Sequence, residues 1–395
     1  MAGITGLGTT YNLPNFVGEL FDVTPSDTPF LSAIGGLTGG VQAVGTQFEW
    51  QGYDLRSAGQ NTALEGAAAP TAQERVRFSV NNVCQVHQEA VKVSYTKQAA
   101  VGQHNGLIIS GSNPVTDEVG FQVSAMLKQI ARDAEWSFLN GSYNLPVDNT
   151  TTRKTRGLLA AIATTRQNAG SAVAATLQFA ADTITKTAHG LVANDQVVLD
   201  TIVTTTGLTA DVVYYVSGTV AANTFQIATT RGGAAIDMGT ADGTANYTKT
   251  VALTNTAIDN VLQSVFDNGG ITESETATLI CNSSPKRALT AAYANLYGKH
   301  VENTRNVGGV NLTTIETDFG VLNIMLDRHM PQHKVAVVSL DECAPVFLEI
   351  PGKGHLFVED LAKTGASIDK QIYGELGLKY GNEKAHGLAS NFLVT

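Results

Sequence analysis

Apolar residues recur at spacings of three and four through Val119, Val123, Met126, Leu127, Ile130, Ala134 and Phe138, which predicts a helix from about Thr116 to Asn140. Asp117 and Glu118 fall in its first turn, where the helix dipole favours carboxylates, and Gly141 follows as a stop. At ~1.5 Å per residue such a helix is about 37 Å long and serves as a beam. Upstream the period drops to two. Phe48-Glu49-Trp50 opens a strand, the Gly- and Ala-rich run from Gly59 to Pro70 reads as a tip, and Arg75-Val76-Arg77-Phe78 returns by alternation. A hairpin this long has too little core of its own and needs another surface. Val91, Val93 and Tyr95 alternate with Lys92, Ser94 and Thr96, as in a half-buried strand.

Residues Met1 to Leu37 are rich in Gly, Thr and Pro, with Phe16, Leu20, Phe21, Phe30 and Leu31 as apolar anchors. That composition suits an extended arm. After Arg166 the composition shifts: no Glu occurs between Glu135 and Glu273, and short β-like runs (196–199, 212–216, 224–228) are separated by Gly and Asn. Residues Ala172 to Tyr247 are therefore expected to form an inserted small β-domain. Helical patterning resumes with Ile258, Val261, Leu262, Val265 and Phe266, stopped by Gly269-Gly270. A strand is expected at Thr278 to Cys281. Ser284 as cap and Pro285 at the first position predict another helix, with Leu289, Ala292, Tyr293 and Leu296 buried and Gly298 at its end. Strands are predicted at Asn311 to Thr317, Val321 to Asp327 and Val335 to Leu340. The fold class is α+β.

Composition narrows the function. Charged residues are 15% of the 395, against roughly 25% in an average soluble chain. Either Thr, Ser, Asn and Gly cover the surface or much of it is buried against other chains. A formal charge of -10 argues against a chain coated in nucleic acid. The basic knot Arg153, Lys154 and Arg156 reads as a solvated turn, with phosphate contact as the alternative. Cys84, Cys281 and Cys343 have no C-x-x-C spacing, and the odd count points away from a disulfide scaffold. The first residues carry neither a basic nor an apolar region, so a signal peptide is not expected. No apolar run approaches the ~18 residues of a membrane span, so no membrane partner is expected.

The search for chemistry yields no phosphate loop, G-x-G-x-x-G, H-E-x-x-H or G-x-S-x-G. His329 and His333 are four apart, but Pro331 between them forbids a regular helix, so a strand followed by a turn is expected rather than a metal site. His386 and Glu383, near Lys379 and Lys384, read as a structural histidine in preference to an acid-base pair. The expectation is a non-enzyme without cofactor, metal or catalytic residues.

Several segments together resemble the tailed-bacteriophage major capsid proteins of the HK97-like fold. They are Thr24-Pro25-Ser26-Asp27-Thr28-Pro29-Phe30-Leu31-Ser32, Phe48-Glu49-Trp50-Gln51, Arg132-Asp133-Ala134-Glu135-Trp136, Thr317-Asp318-Phe319-Gly320, Leu326-Asp327-Arg328-His329-Met330-Pro331, and Gly374-Glu375 through Asn382-Glu383-Lys384-Ala385-His386-Gly387. The resemblance implies an N-terminal arm (1–37), an extended loop (38–80) and a peripheral domain with a spine helix (81–171, helix 116–140). It further implies an axial domain (249–371) and return strands to the peripheral domain (372–395). The insertion, 172–248, departs from that pattern. Its Thr187-Ala188-His189-Gly190-Leu191, Tyr214-Tyr215-Val216 and Asn223-Thr224-Phe225 are similar to small β-modules of other phage structural proteins.

The function implied is self-assembly, through pentamers and hexamers, into the icosahedral head of a double-stranded DNA phage. The partners implied are copies of the chain, a separate scaffolding protein, a portal, a decoration protein, and packaged DNA held by weak contacts. The location is the virion, assembled in the host cytoplasm. Phe30, Phe48, Trp50, Tyr53 and Arg56 are the expected assembly contacts, since buried aromatics dominate interface energies; the alternative is that the aromatics fill the subunit's own core. Rival readings are an encapsulin-type compartment, a tail or surface adhesin, and a hydrolase.

Overall fold

The structure, a computed structural model, describes residues 24–99, 117–203, 207–218, 220–239, 241–270, 277–296, 314–363 and 365–395, with two short strands at 103–104 and 107–108. Phe16, Leu20 and Phe21 of the expected arm lie outside them. The chain forms two compact units, Met1–Gly157 with Ala344–Lys379, and Leu158–Cys343 with Tyr380–Thr395.

In the first unit, what was expected as extended arm contains helix α1 (Pro29–Ile34), with Pro29 supplying the preset φ of a first turn. Phe30, Leu31 and Ile34 are buried. The Gln85–Ser94 strand ends one residue before Tyr95, which opens the short helix α2 (Tyr95–Ala99) instead of continuing the strand. The cause is local: Ser94 Oγ accepts a hydrogen bond from Lys97 N at 3.2 Å, as a capping residue does. Helix α3 (Glu118–Asn140) is the predicted beam, about 35 Å long. Asp117 is its cap rather than part of its first turn, accepting from Val119 N. Val119 packs against Val91 and Val93, joined by the half-buried Val123 and Met126. Gly141 closes the helix where a Cβ would strike Ser137 O and Thr155 O, so only glycine fits.

The sheet of this unit is organised by one long strand, Ser367–Lys379. It pairs antiparallel with Gln85–Ser94, Leu356–Asp360 and Ala344–Leu348. Val41–Ala43 adds in parallel to Ala344–Leu348, so Val41 belongs to this sheet and not to the hairpin. The hairpin is Gln47–Tyr53 paired with Arg77–Val83, and residues 54–76 between them have no regular strand.

The second unit holds a six-stranded sheet in the order Thr314–Thr317, Gly320–Leu326, Ala277–Cys281, Val335–Val338, Gly387–Ser390, Arg166–Asn168. Its central strand Ala277–Cys281 is buried throughout. The unit begins with the single-turn helix α4 (Leu158–Ala161). Helices α5 (Asn255–Asp267) and α6 (Ser283–Leu296) contribute Ile258, Val261, Leu262, Val265, Leu289 and Tyr293 to the core. Phe266, expected in that apolar stripe, is 47% exposed and meets Phe319 at 5.7 Å. Helix α6 starts at Ser283, two residues before the Pro285 start that the Ser-Pro pair suggested; Asn282 precedes it, its Oδ1 accepting from Ser283 N at 2.7 Å, and Ser284 lies inside the helix. The expected return of residues 372–395 divides. Ser367–Lys379 stays in the first unit, while Gly387–Ser390 pairs with Val335–Val338 in the second, after a turn at Gly381 (φ 58°).

Residues Val173–Lys249 form a closed six-stranded barrel. Closure removes the free strand edges that an isolated small sheet would expose. Leu177, Ile184, Val197, Leu199, Val216, Phe225 and Ile227 fill its interior, with Tyr247 edge-on to Phe225.

Candidate assembly surface

The hairpin exposes large apolar side chains, Tyr53 and Phe78 among them. Its register places Trp50 opposite Val80, Gly52 opposite Phe78 and Phe48 opposite Asn82, so these six share one face. Phe78 covers Gly52, where a Cβ would meet the ring at 2.5 Å. The other face carries Glu49, Gln51, Ser79 and Arg77, linked by Ser79 Oγ to Glu49 (2.9 Å) and Arg77 to Gln51 (3.2 Å). That second face is bonded to itself and carries Tyr53 at its outer end, opposite Arg77; the first offers the apolar surface of Trp50, Phe78 and Val80.

The root of the hairpin is fixed. Asn82 is fully buried; its amide donates to Leu378 O (2.7 Å) and Arg156 O (3.1 Å), and its oxygen accepts from Arg156 N (2.8 Å). Phe48 lies against Gly377, joining Ala43, Cys84 and Val346. Phe48 is thus partly an anchor of its own subunit, and its ring stacks 6.1 Å from Trp50. Farther out, Tyr53 is 67% exposed and Phe78 53%. Arg56 is exposed and bonds only locally, to Ser57 O. Phe30 departs from its expected role. It is wholly buried within its own chain, because Glu135 of α3 accepts hydrogen bonds from Phe30 N (2.8 Å) and Leu31 N (2.6 Å) and draws α1 inward.

The candidate chemistry resolves into structural contacts. Arg153 forms a part-buried ion pair with Glu375 at 3.0 Å, and the Arg156 guanidinium lies 4.4 Å over the Tyr143 ring. The two arginines of the basic knot are engaged within the fold, whereas Lys154 is exposed, as a solvated turn would have it. His386 is buried, with Nε2 donating to Tyr380 O and Nδ1 accepting from Ser339 N, as the neutral tautomer requires. Burial pushes its pKa down. Glu383 accepts from Ala163 N and Thr164 Oγ1, so these two side chains serve separate backbones. His329 N bonds Asp327 Oδ1, whereas His333 faces Asp211. Among the described residues, no group of three or more His, Cys, Asp or Glu could hold a metal, and no helix is long and apolar enough to cross a membrane. Sequence reasoning assigned no contact to Glu135, Asn82 or Asp211, whose partners lie 105, 296 and 123 residues away respectively.

A long capped helix beside a sheet, a protruding hairpin and a second α+β unit define the HK97-like class of phage capsid folds. Solved structures share it: the cyanophage A-1(L) capsid asymmetric unit superposes with a TM-score of 0.58 at 12% identity, over 98% of this chain and 99% of that one. The capsid of the native GTA particle gives 0.51 at 11%, over 97% of each. The chain belongs to the SU10 major capsid protein family, whose model matches residues 3–392. It is a structural protein of a phage capsid shell. No curated protein matches the sequence.

Proposed function

We propose that the chain assembles with its own copies into pentamers and hexamers that close an icosahedral head around double-stranded DNA, and that it catalyses no reaction. The supporting observation is the hairpin, anchored at Asn82 and Phe48 and presenting Trp50, Tyr53 and Phe78 beyond its root. Head-to-tail contacts whose rotation closes produce rings, and many modest contacts then add through multivalency. In this reading 1–37 is the arm and 38–80 the extended loop that reaches a neighbour. Residues 81–157 with Ala344–Lys379 are the peripheral domain, and the second unit outside the barrel is the axial domain. Trp50, Tyr53 and Arg56 are the contacts made on that neighbour. The 172–248 barrel faces outward, because its acidic balance (Asp182, Asp195, Asp200, Asp211, Asp237 and Asp242 against Lys186 and Arg231) would repel packaged DNA even with Asp195 and Asp211 paired to Lys249 and Lys334. Scaffolding, portal and decoration proteins are separate chains, and the particle forms in the host cytoplasm.

Negative-stain microscopy of the purified protein is the test, with closed spheres as the expected result. Fibres or trimers would replace this reading with a tail or adhesin role, and co-purified enzyme cargo with an encapsulin-type compartment. Isolated subunits should bind duplex DNA weakly and lose it at moderate salt. Tight binding at physiological salt would contradict the outward barrel and weak interior contacts.

A further inference from the structure

The Asp327–His333 run, singled out as a possible metal motif, has a different use. Its backbone is shaped by Asn282, whose amide donates to Arg328 O (3.1 Å) and Met330 O (2.6 Å). Pro331 O then accepts from Lys334 N, closing a turn that leads straight into the central sheet at Val335. The turn delivers two adjacent side chains, His333 and Lys334, to one place. Both are buried, with 3% and 2% of the side chain exposed. A buried ammonium without a counter-charge is strongly disfavoured, so something must answer Lys334.

The answer comes from the barrel. Asp211 lies between the Gln196–Val203 and Val213–Ser217 strands, in left-handed conformation (φ 63°), which aspartate tolerates better than most residues. Its backbone N donates to Leu199 O at 2.7 Å, fixing it against the barrel wall. One carboxylate oxygen meets His333 Nε2 at 3.2 Å and the other meets Lys334 Nζ. Burial on its own raises the Asp211 carboxyl, yet the His333 hydrogen bond and the Lys334 charge outweigh it and hold the group at about 2. Burial lowers the Lys334 ammonium, and Asp211 opposes that shift.

Other ties of the barrel cluster beside its exit, where Thr250 N donates to Gln196 O at 3.0 Å. Gln196 exchanges hydrogen bonds with Val394 (2.6 and 2.8 Å), and Val251 pairs with Asn391 and Leu393 through its backbone. Ties gathered at the exit alone would leave the barrel free to pivot. Asp211 provides a separate point of attachment.

We propose that the Pro331–Lys334 turn is a socket that locks the inserted barrel in one orientation on the sheet through the single carboxylate of Asp211. The dependence runs both ways. The barrel needs the socket to hold its orientation, and the sheet needs the barrel's carboxylate to neutralise a lysine already committed to its interior. The lock is unequal: Lys334 is enclosed, whereas half of the Asp211 side chain reaches solvent and could be hydrated if released.

That inequality gives the test. Asp211→Asn keeps the left-handed conformation and the shape while removing the charge. In the purified full-length chain it should raise hydrogen exchange at 207–213 and 331–335 by a factor on the order of 100, as expected for breaking a buried pair. It should also lower the urea midpoint more than Lys334→Met does. Combining Asp211→Asn with Lys334→Met should restore the midpoint while exchange at 207–213 stays fast. Unchanged exchange in Asp211→Asn would overturn the lock. A double variant as unstable as Asp211→Asn alone would overturn the neutralising role, and Lys334→Met keeps the experiment decisive if Asp211→Asn fails to fold.

Discussion

Removing the Glu135 carboxylate should release the segment around α1. Helix α1 has only six residues, too few to persist alone. It is held by the burial of Phe30 and Leu31 and by two charge-assisted bonds from their N–H groups, at 2.8 and 2.6 Å, to a fully buried carboxylate. Glu135→Ala leaves both donors without that acceptor at about 1–3 kcal/mol each, so about 2–6 kcal/mol in total. At 1.4 kcal/mol per tenfold, the lower bound speeds exchange of the Phe30 and Leu31 amides roughly 30-fold. Glu135→Gln, which keeps one acceptor and turns an amide N–H toward the other donor, should fall between the two. Phe30→Ala tests the same anchor from the apolar side, at about 3–5 kcal/mol. Because both variants undo one contact, the double variant should cost about 1–3 kcal/mol less than the sum. Amide exchange by mass spectrometry on the purified chain reads all four variants. Unchanged exchange at Phe30 and Leu31 in Glu135→Ala, or strict additivity in the double variant, would refute the reasoning.

Three further outcomes can be measured. His87 is buried, its Nε2 lacks a partner, and burial depresses it from 6.5 to about 4. Its stabilising neutral form is fully present above the unfolded value and is lost as pH falls from 6.5 toward 4, about 3 kcal/mol in all at 1.36 kcal/mol per unit. His87→Leu should flatten urea midpoints across that window in part, His386 being lowered in the same direction; an unchanged slope would exclude His87 as a cause. The thiols of Cys84, Cys281 and Cys343 are buried, free and pushed up to about 12, chiefly by burial. They should resist iodoacetamide at neutral pH until the chain unfolds. Since residues 41–80 contain no lysine for an isopeptide bond, boiled non-reduced particles should run as one band near 41.5 kDa. A ladder of covalent pentamers and hexamers would contradict this.

What could be read from the sequence follows the range of the interactions. Helix α3 was legible because its period, its cap region and its glycine stop are all local. The barrel's turns were legible for the same reason, as was the hairpin's alternation. Misreadings arose where a short-range cue met a stronger neighbour: Ser94 capping α2 ended the strand before Tyr95, and Asn282 started α6 ahead of Ser284. Phe266 fits the stripe by spacing but sits at its solvent edge. The parallel addition of Val41–Ala43 joins residues about 300 positions apart and carries no periodic signature. The same holds for Glu135, Asn82 and Asp211. Each is a common polar residue in its own neighbourhood, and its importance depends on a backbone or a charge brought close only by folding.

The barrel's first and last strands are hydrogen-bonded neighbours, with Val173 opposite Tyr247 and Gly243 opposite Leu177. The chain therefore leaves the module beside the point where it enters, so the covalent connection of the insertion is a narrow two-stranded stem. Such a stem is a natural exchange point. A foreign domain whose ends lie a strand's width apart, about 4.8 Å, could be grafted there with little added cost of loop closure. A graft without a carboxylate at the place of Asp211 would strand Lys334. Cassettes displayed at this stem should therefore require a compensating change at that lysine, typically to an apolar residue of similar length.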